Sequence, residues 1–400
     1  MKKQVNADVV VIGGGIAGLW LFRKLNLSGY KAVLLENNAL GGDQTIKSQG
    51  IIHGGTKYTL SGSLTKASQC IAGMPDRWRK ALAGKEQVNL SGTKILSNYQ
   101  YLWSPGGLGS RLTSFFASKA LRGRVDSLKP EQYPAIFQHQ GFKGTVYQLN
   151  EVVLDVSSVI NVLVAGLEHR CIKIDWNSNA KIIANHRTIE GIDIHQGNEL
   201  FHLKAKRYVT TAGSGTADLI AQWGLVKPQM QVRPLHMVMV KHGYPEPIFA
   251  HCIGAKRVPR ITITTHPTAA KQWVWYLGGE IAEEGVKYSS EALINIAKQE
   301  LAALLPWANM GGAKWSTLRV NRAEPKQSSV LRPDAAFCQQ VNNSIVTWPT
   351  KLTLAPNLTD EVIKILAKSG VEPSGNETFS LPENCACPKI LPPFWSSYFD

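Results

Sequence analysis

Gly13, Gly15 and Gly18 stand at the spacing G-x-G-x-x-G, and Glu36 follows about twenty residues later. Each glycine has a separate physical reason to be there. The first permits a tight turn, the second lets the backbone approach a pyrophosphate, and the third lets a helix pack close against a strand. The carboxylate of Glu36 can accept hydrogen bonds from an adenosine ribose and disfavours a 2′-phosphate, so the pattern points to FAD or NAD rather than NADP. The residues expected against such a ligand are Gly13, Gly15, Ile16, Ala17, Gly18, Glu36 and Asn37.

These positions need a strand, a helix and a second strand to hold them. Asp8 to Ile12 is a short β-branched run suited to a parallel strand buried on both faces, and Lys31 to Leu35 is the second. The helix between them aims its unpaired N–H groups and positive dipole end at the phosphates.

A chain of 400 residues suggests two to three domains with a sizeable core. Lys and Arg number 44 against 29 Asp and Glu, so the formal charge of +15 favours an anionic partner: a carboxylate or phosphate substrate, a nucleic acid or an acidic membrane surface. The cysteines are scattered without a C-x-x-C pair, and Cys385 and Cys387 alone are too few for a metal site. No metal is expected, and a reducing, cytoplasmic setting is. Lys2 and Lys3 before an apolar stretch imitate a signal peptide, but that stretch is the glycine fingerprint. No run is long enough to span a bilayer, so any contact with the inner face of a membrane would be peripheral.

After Glu36 come Gly41-Gly42-Asp43-Gln44-Thr45 and Ser48-Gln49-Gly50-Ile51-Ile52-His53-Gly54-Gly55-Thr56-Lys57-Tyr58, where glycines let backbone lie against a flat ligand. The fingerprint, its acid and this S-x-G-I-I-H-G-G-x-K-Y segment resemble the FAD-dependent D-amino-acid oxidase and glycerol-3-phosphate dehydrogenase superfamily. The nearest likeness is to the L-2-hydroxyglutarate oxidase or dehydrogenase type, which Gly62-Ser63-Leu64 and Cys70 also match. The resemblance covers roughly the first eighty residues.

The resemblance implies FAD, with Gln44, Thr45, Ser48, Gln49, Gly50 and Ile51 against it, a strand end at Ala212 and Gly213 beside it, and Arg332 in an R-P-x-x-x-D-like return. Many relatives carry glycines where this chain has Pro349, Thr350 and Lys351, near the flavin pyrimidine, and Leu352 is expected against the cofactor too. Lys351 there offers a cation near flavin N1 and O2, where negative charge develops on reduction; a solvated loop lysine is the alternative. His53 is the first candidate proton acceptor, because the family places its loop beside the isoalloxazine ring; His236 and His251 come second. Arg319 and Arg322 are candidate forks for a carboxylate, although Arg322 has a structural alternative in a pair with Glu324 or Asp334. Tyr58 is a further candidate donor.

The expected class is α/β (α+β overall), a Rossmann-like FAD-binding domain interleaved with a substrate domain built on an antiparallel sheet. Residues 1–85, 150–225 and 330–370 are assigned to the first, 86–149 and 226–329 to the second, and 371–400 to a tail lying on the body. Within them, helices are expected over 74–85, 108–121, 159–169, 290–305 and 358–368, and strands over 88–103.

The leading reading is an FAD-dependent dehydrogenase or oxidase acting on a small anionic 2-hydroxy acid, amino acid or glycerol phosphate. Its electron acceptor, whether oxygen, quinone or another redox protein, is left open. The alternatives are a flavoenzyme that modifies RNA and a non-catalytic FAD-binding subunit of a larger complex.

Overall fold

Two hydrophobic patterns build two large sheets. The computed structural model describes residues 3–55, 70–105, 125–197, 199–253, 258–268, 272–326, 335–349, 351–375, 379–382 and 385–399. Runs buried at every position make the first sheet: Ala32–Glu36 is wholly buried, as are the last six residues of Lys3–Ile12. Such strands belong in a parallel sheet covered on both faces.

From one edge inward the order is Phe337–Val341, Ser344–Trp348, Glu199–Thr210, Lys3–Ile12, Ala32–Glu36 and Cys171–Lys173, with Thr188–Gln196 and Ala180–Asn185 continuing from Glu199–Thr210. The pairs joining Ser344–Trp348, Glu199–Thr210, Lys3–Ile12, Ala32–Glu36 and Cys171–Lys173 are parallel, and the rest are antiparallel. The chain therefore leaves this sheet after Glu36 and again after Thr210. Helix Ile16–Leu27 packs with Ala355–Lys368 and Val156–Val164 on one face.

Strands buried at the centre and part-exposed toward one edge make the second sheet, ordered Lys314–Pro325, Met230–His242, Trp273–Gly278, Ile261–Pro267, Ala250–Cys252, Gln100–Ser104, Thr145–Leu149 and Val125–Ser127. It is antiparallel except where Ala250–Cys252 meets Gln100–Ser104. Helix Ser290–Leu304, capped by the Ser289 hydroxyl, covers one face with Leu293, Ala297, Leu301 and Leu304. The opposite face is left for the cavity.

Local expectations shift at helix ends. The helix expected over 159–169 runs Val156–Val164, because the Asp155 carboxylate accepts Ser158 N–H at 2.8 Å and so starts it early. The last long helix begins at Ala355 rather than Leu358, since Pro356 sits in the first turn, where no N–H is needed. Strands expected over 88–103 reduce to Ile95–Ser97 and Gln100–Ser104. The helix expected over 108–121 lies outside the described residues.

Candidate cofactor and active site

A cleft of about 1440 Å³ lies between the two sheets. Its first end is the glycine turn. Gly13 takes φ +113°, and a Cβ there would come within 2.7 Å of the Ala212 backbone; a Cβ on Gly18 would fall 1.9 Å from the Gly13 carbonyl. Both positions therefore demand glycine.

Gly15 caps helix Ile16–Leu27 without a side-chain bond, and no acidic residue occupies the first turn. Ile16 N–H donates to Thr45 Oγ1 at 3.1 Å, and Ile16 and Ala17 line the cleft. The positive end of the helix dipole is thus left for an anionic ligand.

Glu36 Oε2 accepts Gly14 N–H at 2.6 Å and Oε1 accepts Asn38 N–H at 2.7 Å. Burial pushes this carboxyl up, against the lowering effect of those two N–H groups and of Lys173. Each oxygen keeps a lone pair, so ribose hydroxyls can add to the set. Helix end, glycine cradle and carboxylate fit a dinucleotide of the FAD kind.

At the other end, loop 50–54 is clamped against 152–154 by Ile52 N–H to Val152 carbonyl at 2.9 Å and Leu154 N–H to Gly50 carbonyl at 3.0 Å. The clamp brings together residues far apart in the chain. Glu151, 3% exposed, accepts Gly54 N–H at 2.7 Å through Oε1 and lies 3.4 Å from His53 Nδ1 through Oε2. The His251 ring lies 6.0 Å from that of His53, tilted by 23°, and its Nδ1 is 2.8 Å from Thr262 Oγ1. Nitrogen and oxygen atoms of His53, Glu151 and His251 all fall within 4.8 Å of one another. Thr353 Oγ1 donates to the His53 carbonyl at 3.1 Å, which ties in the segment carrying Lys351 and Leu352.

Of the residues expected from sequence, Gly13, Gly15, Ile16, Ala17, Glu36, Asn37, Gln44, Thr45, Ser48, Gln49, Gly50, Ile51, His53, Ala212, Gly213, Arg322, Lys351 and Leu352 line the cleft. Gly18 lies behind the turn. Tyr58 and Arg332 lie outside the described residues. Lys351 is buried at 6% exposure, unlike a solvated loop lysine.

Arg319 does not join the site. Along Lys314–Pro325 side chains alternate, so Val320 and Arg322 face the cleft while Arg319 points to the other side, donating to the carbonyls of Val286 and Tyr288. His236, paired in register with Arg319, likewise turns away and lies 3.1 Å from the Gly285 carbonyl.

Arg322 faces the cleft but stands apart from His53. His251 is four strand steps from Arg322 across the sheet, on the strand Ala250–Cys252. Arg322 sits instead beside Arg233, whose carbonyl it contacts at 3.2 Å, and 3.8 Å from Glu283. The neighbouring Ala323 N–H reaches Gln44 Oε1 at 3.1 Å, at the fingerprint end. Of its expected alternative partners, Glu324 is bonded by Arg233 at 2.8 Å and Asp334 lies outside the described residues.

Two contributions escaped the sequence reading. Glu151 left only a faint signal, an acid at the head of the apolar run Val152 to Leu154. The tail, read as lying on the body, places Leu391, Pro392, Pro393, Phe394 and Ser397 in the cleft wall, and no local pattern could have revealed that.

Comparison with known proteins agrees with this geometry. Residues 8–322 match the family described as FAD dependent oxidoreductase. A probable FAD-dependent oxidoreductase of Pseudomonas aeruginosa is 47% identical over 400 residues, the full length of both chains. Its crystal structure superposes with a TM-score of 0.85, at 41% identity over the aligned structures and full coverage of both. Glycine oxidase from Geobacillus kaustophilus (TM-score 0.62, 14% identity, 95% of this chain and 99% of that one) shares the fold. So does L-α-glycerophosphate oxidase from Mycoplasma pneumoniae with FAD bound (TM-score 0.61, 14% identity, 97% and 99%).

Proposed function

The chain belongs to the FAD-dependent oxidoreductase family, and from that premise we propose that it oxidises a C–H bond beside an OH or NH group of a small anionic substrate. The substrate classes are 2-hydroxy acid, amino acid and glycerol phosphate. Glycine oxidase and L-α-glycerophosphate oxidase, which share the fold, carry two of these classes in their names. The third follows from the sequence likeness of the His53 segment to the L-2-hydroxyglutarate type.

The observation that carries the proposal is the His53 imidazole, in contact with Glu151 and beside His251, at the cleft end built from Gly50, Ile51 and Leu352. When bound, the flavin supplies the hydride acceptor. The chain must supply the rest: His53 receives the O–H or N–H proton, and the buried Lys351 offers positive charge at this end of the cleft. Arg319 has no part in this reading, and Arg322 serves the fingerprint end.

The test is an anaerobic screen of the FAD-loaded protein against glycine and other amino acids, 2-hydroxyglutarate and other hydroxy acids, and glycerol 3-phosphate, following loss of the flavin absorbance. Bleaching by one class within turnover times supports the proposal. A protein that binds no flavin, or whose flavin no member of the three classes bleaches, overturns it.

A further inference from the structure

We propose that Glu151 is a positioning residue: it turns the Nδ1–H of His53 toward its own carboxylate and leaves Nε2 as the proton acceptor of the cleft. The inference deepens the flavoenzyme reading and rests on it for the identity of the reaction, but the geometry stands by itself.

The carboxylate is fixed from both ends. Oε1 is bound by Gly54 N–H at 2.7 Å, so Oε2 is the oxygen directed to the ring, 3.4 Å from Nδ1. The loop that carries the ring is fixed too, because the backbone bonds of Gly50 and Ile52 with residues 152–154 and the Thr353 hydroxyl on the His53 carbonyl hold it in place. A carboxylate on one imidazole nitrogen selects the tautomer and makes the other nitrogen more basic.

In the step itself the substrate O–H or N–H bond breaks and an Nε2–H bond forms. When bound, the flavin would accept the hydride of the broken C–H bond, the C–O or C–N bond becoming double, and the proton would then leave Nε2 to solvent. Glu151 remains ionised and stabilises the imidazolium. Other described charged or titratable groups on elements around the loop include His251, Lys351 and, on helix Met74–Leu82, Asp76, Arg77, Arg79 and Lys80, of which Arg77 pairs with Asp360. His251, held by Thr262, places a second imidazole near the first, and a charge on one disfavours a charge on the other.

The test uses full-length, FAD-loaded protein labelled with ¹⁵N-histidine and long-range ¹H–¹⁵N NMR. The His53 signals, assigned with His53→Asn, are expected to show the proton on Nδ1 at high pH. Glu151→Gln keeps an acceptor for Gly54 N–H. It is expected to lower the His53 titration midpoint by about one pH unit or more and to blur the tautomer preference, while Glu151→Asp restores part of both.

A wild-type spectrum with the proton on Nε2 overturns the proposal without any variant, and so does a midpoint that Glu151→Gln leaves in place. Stoichiometric zinc binding that removes the His53 signals also overturns it, by assigning the cluster to a cation. Because no substrate is used, absence of flavin or of turnover counts against the flavoenzyme reading alone.

Discussion

At the scale of single residues, Glu36 joins the fold to the cofactor. Its carboxyl lies above the ordinary carboxylate range because burial disfavours the ion, so the folded apoprotein binds a proton where the unfolded chain has none. Stability contributed by this group therefore falls as pH rises through that window. Cofactor binding has the opposite sense, since ribose hydroxyls donate to the ionised form. FAD affinity, measured by flavin fluorescence quenching on apoprotein, should decline on acidification beginning above the ordinary glutamate range. In Glu36→Gln the decline should vanish, with affinity about 10- to 100-fold weaker at neutral pH, the loss of a charged hydrogen bond. His53→Asn should keep FAD and lose about 10²- to 10⁴-fold in the rate of flavin bleaching, as removal of a general base does. Gly13, Gly18 and Glu36 were legible because their roles are local, set by turn and spacing. The contact between His53 and Glu151 spans about a hundred residues and depends on the clamp of 50–54 against 152–154, which no local pattern encodes.

At the scale of elements, apolar runs announced the first two parallel strands and the family resemblance the antiparallel sheet, whereas strand facing had to be seen. Arg319 and Arg322 looked equivalent in sequence, yet three positions on a period of two put them on opposite faces. Arg319→Ala should accordingly leave the bleaching rate within about twofold of wild type, as expected for an exposed residue away from the site. Arg322→Ala should act through FAD affinity rather than through substrate. Asp8 shows how the strands are anchored. Burial pushes its carboxyl up, but Lys206 at 2.7 Å, Lys31 N–H and the hydroxyl and N–H of Ser374 outweigh this and hold it below the usual carboxylate range. A depressed folded pKa contributes stability that is present above the unfolded value and lost as pH falls through the folded one. Asp8→Asn should cost about 2 kcal/mol or more at neutral pH, and in thermal melts from pH 7 to pH 3 it should flatten the acid limb that the wild-type protein shows.

At the scale of the whole molecule, the segment beyond residue 322, where the family match ends, takes part in closing the site. The first sheet is completed by Phe337–Val341 and Ser344–Trp348, and the tail then crosses from one sheet to the other. Lys173 N–H, on the first sheet, reaches the Ala386 carbonyl at 2.7 Å, and Leu40, in the loop that follows Ala32–Glu36, bridges Ile390. Phe394 then packs on Tyr276, and Trp395 on His266 with ring centres 4.5 Å apart, both on the second sheet. Its aromatic contacts are joined by polar ones, because Leu40 N–H donates to the Lys389 carbonyl at 2.9 Å and Lys241 Nζ to the Phe399 carbonyl at 3.4 Å. Burial drives the His266 imidazole down to about 3, so the ring under Trp395 stays neutral through the physiological range. That contribution is present above the ordinary imidazole value and fades as pH falls from there toward 3. Removing residues 390–400 takes away part of the cleft wall and a tryptophan that is 8% exposed, whose loss alone costs about 3 kcal/mol. The truncated protein should release FAD at a temperature several degrees lower than wild type, read by the rise of flavin fluorescence. Trp395→Ala should show the same effect in smaller measure. Unchanged FAD retention in both would mean that the tail merely covers the sheets and that the cleft closes without it.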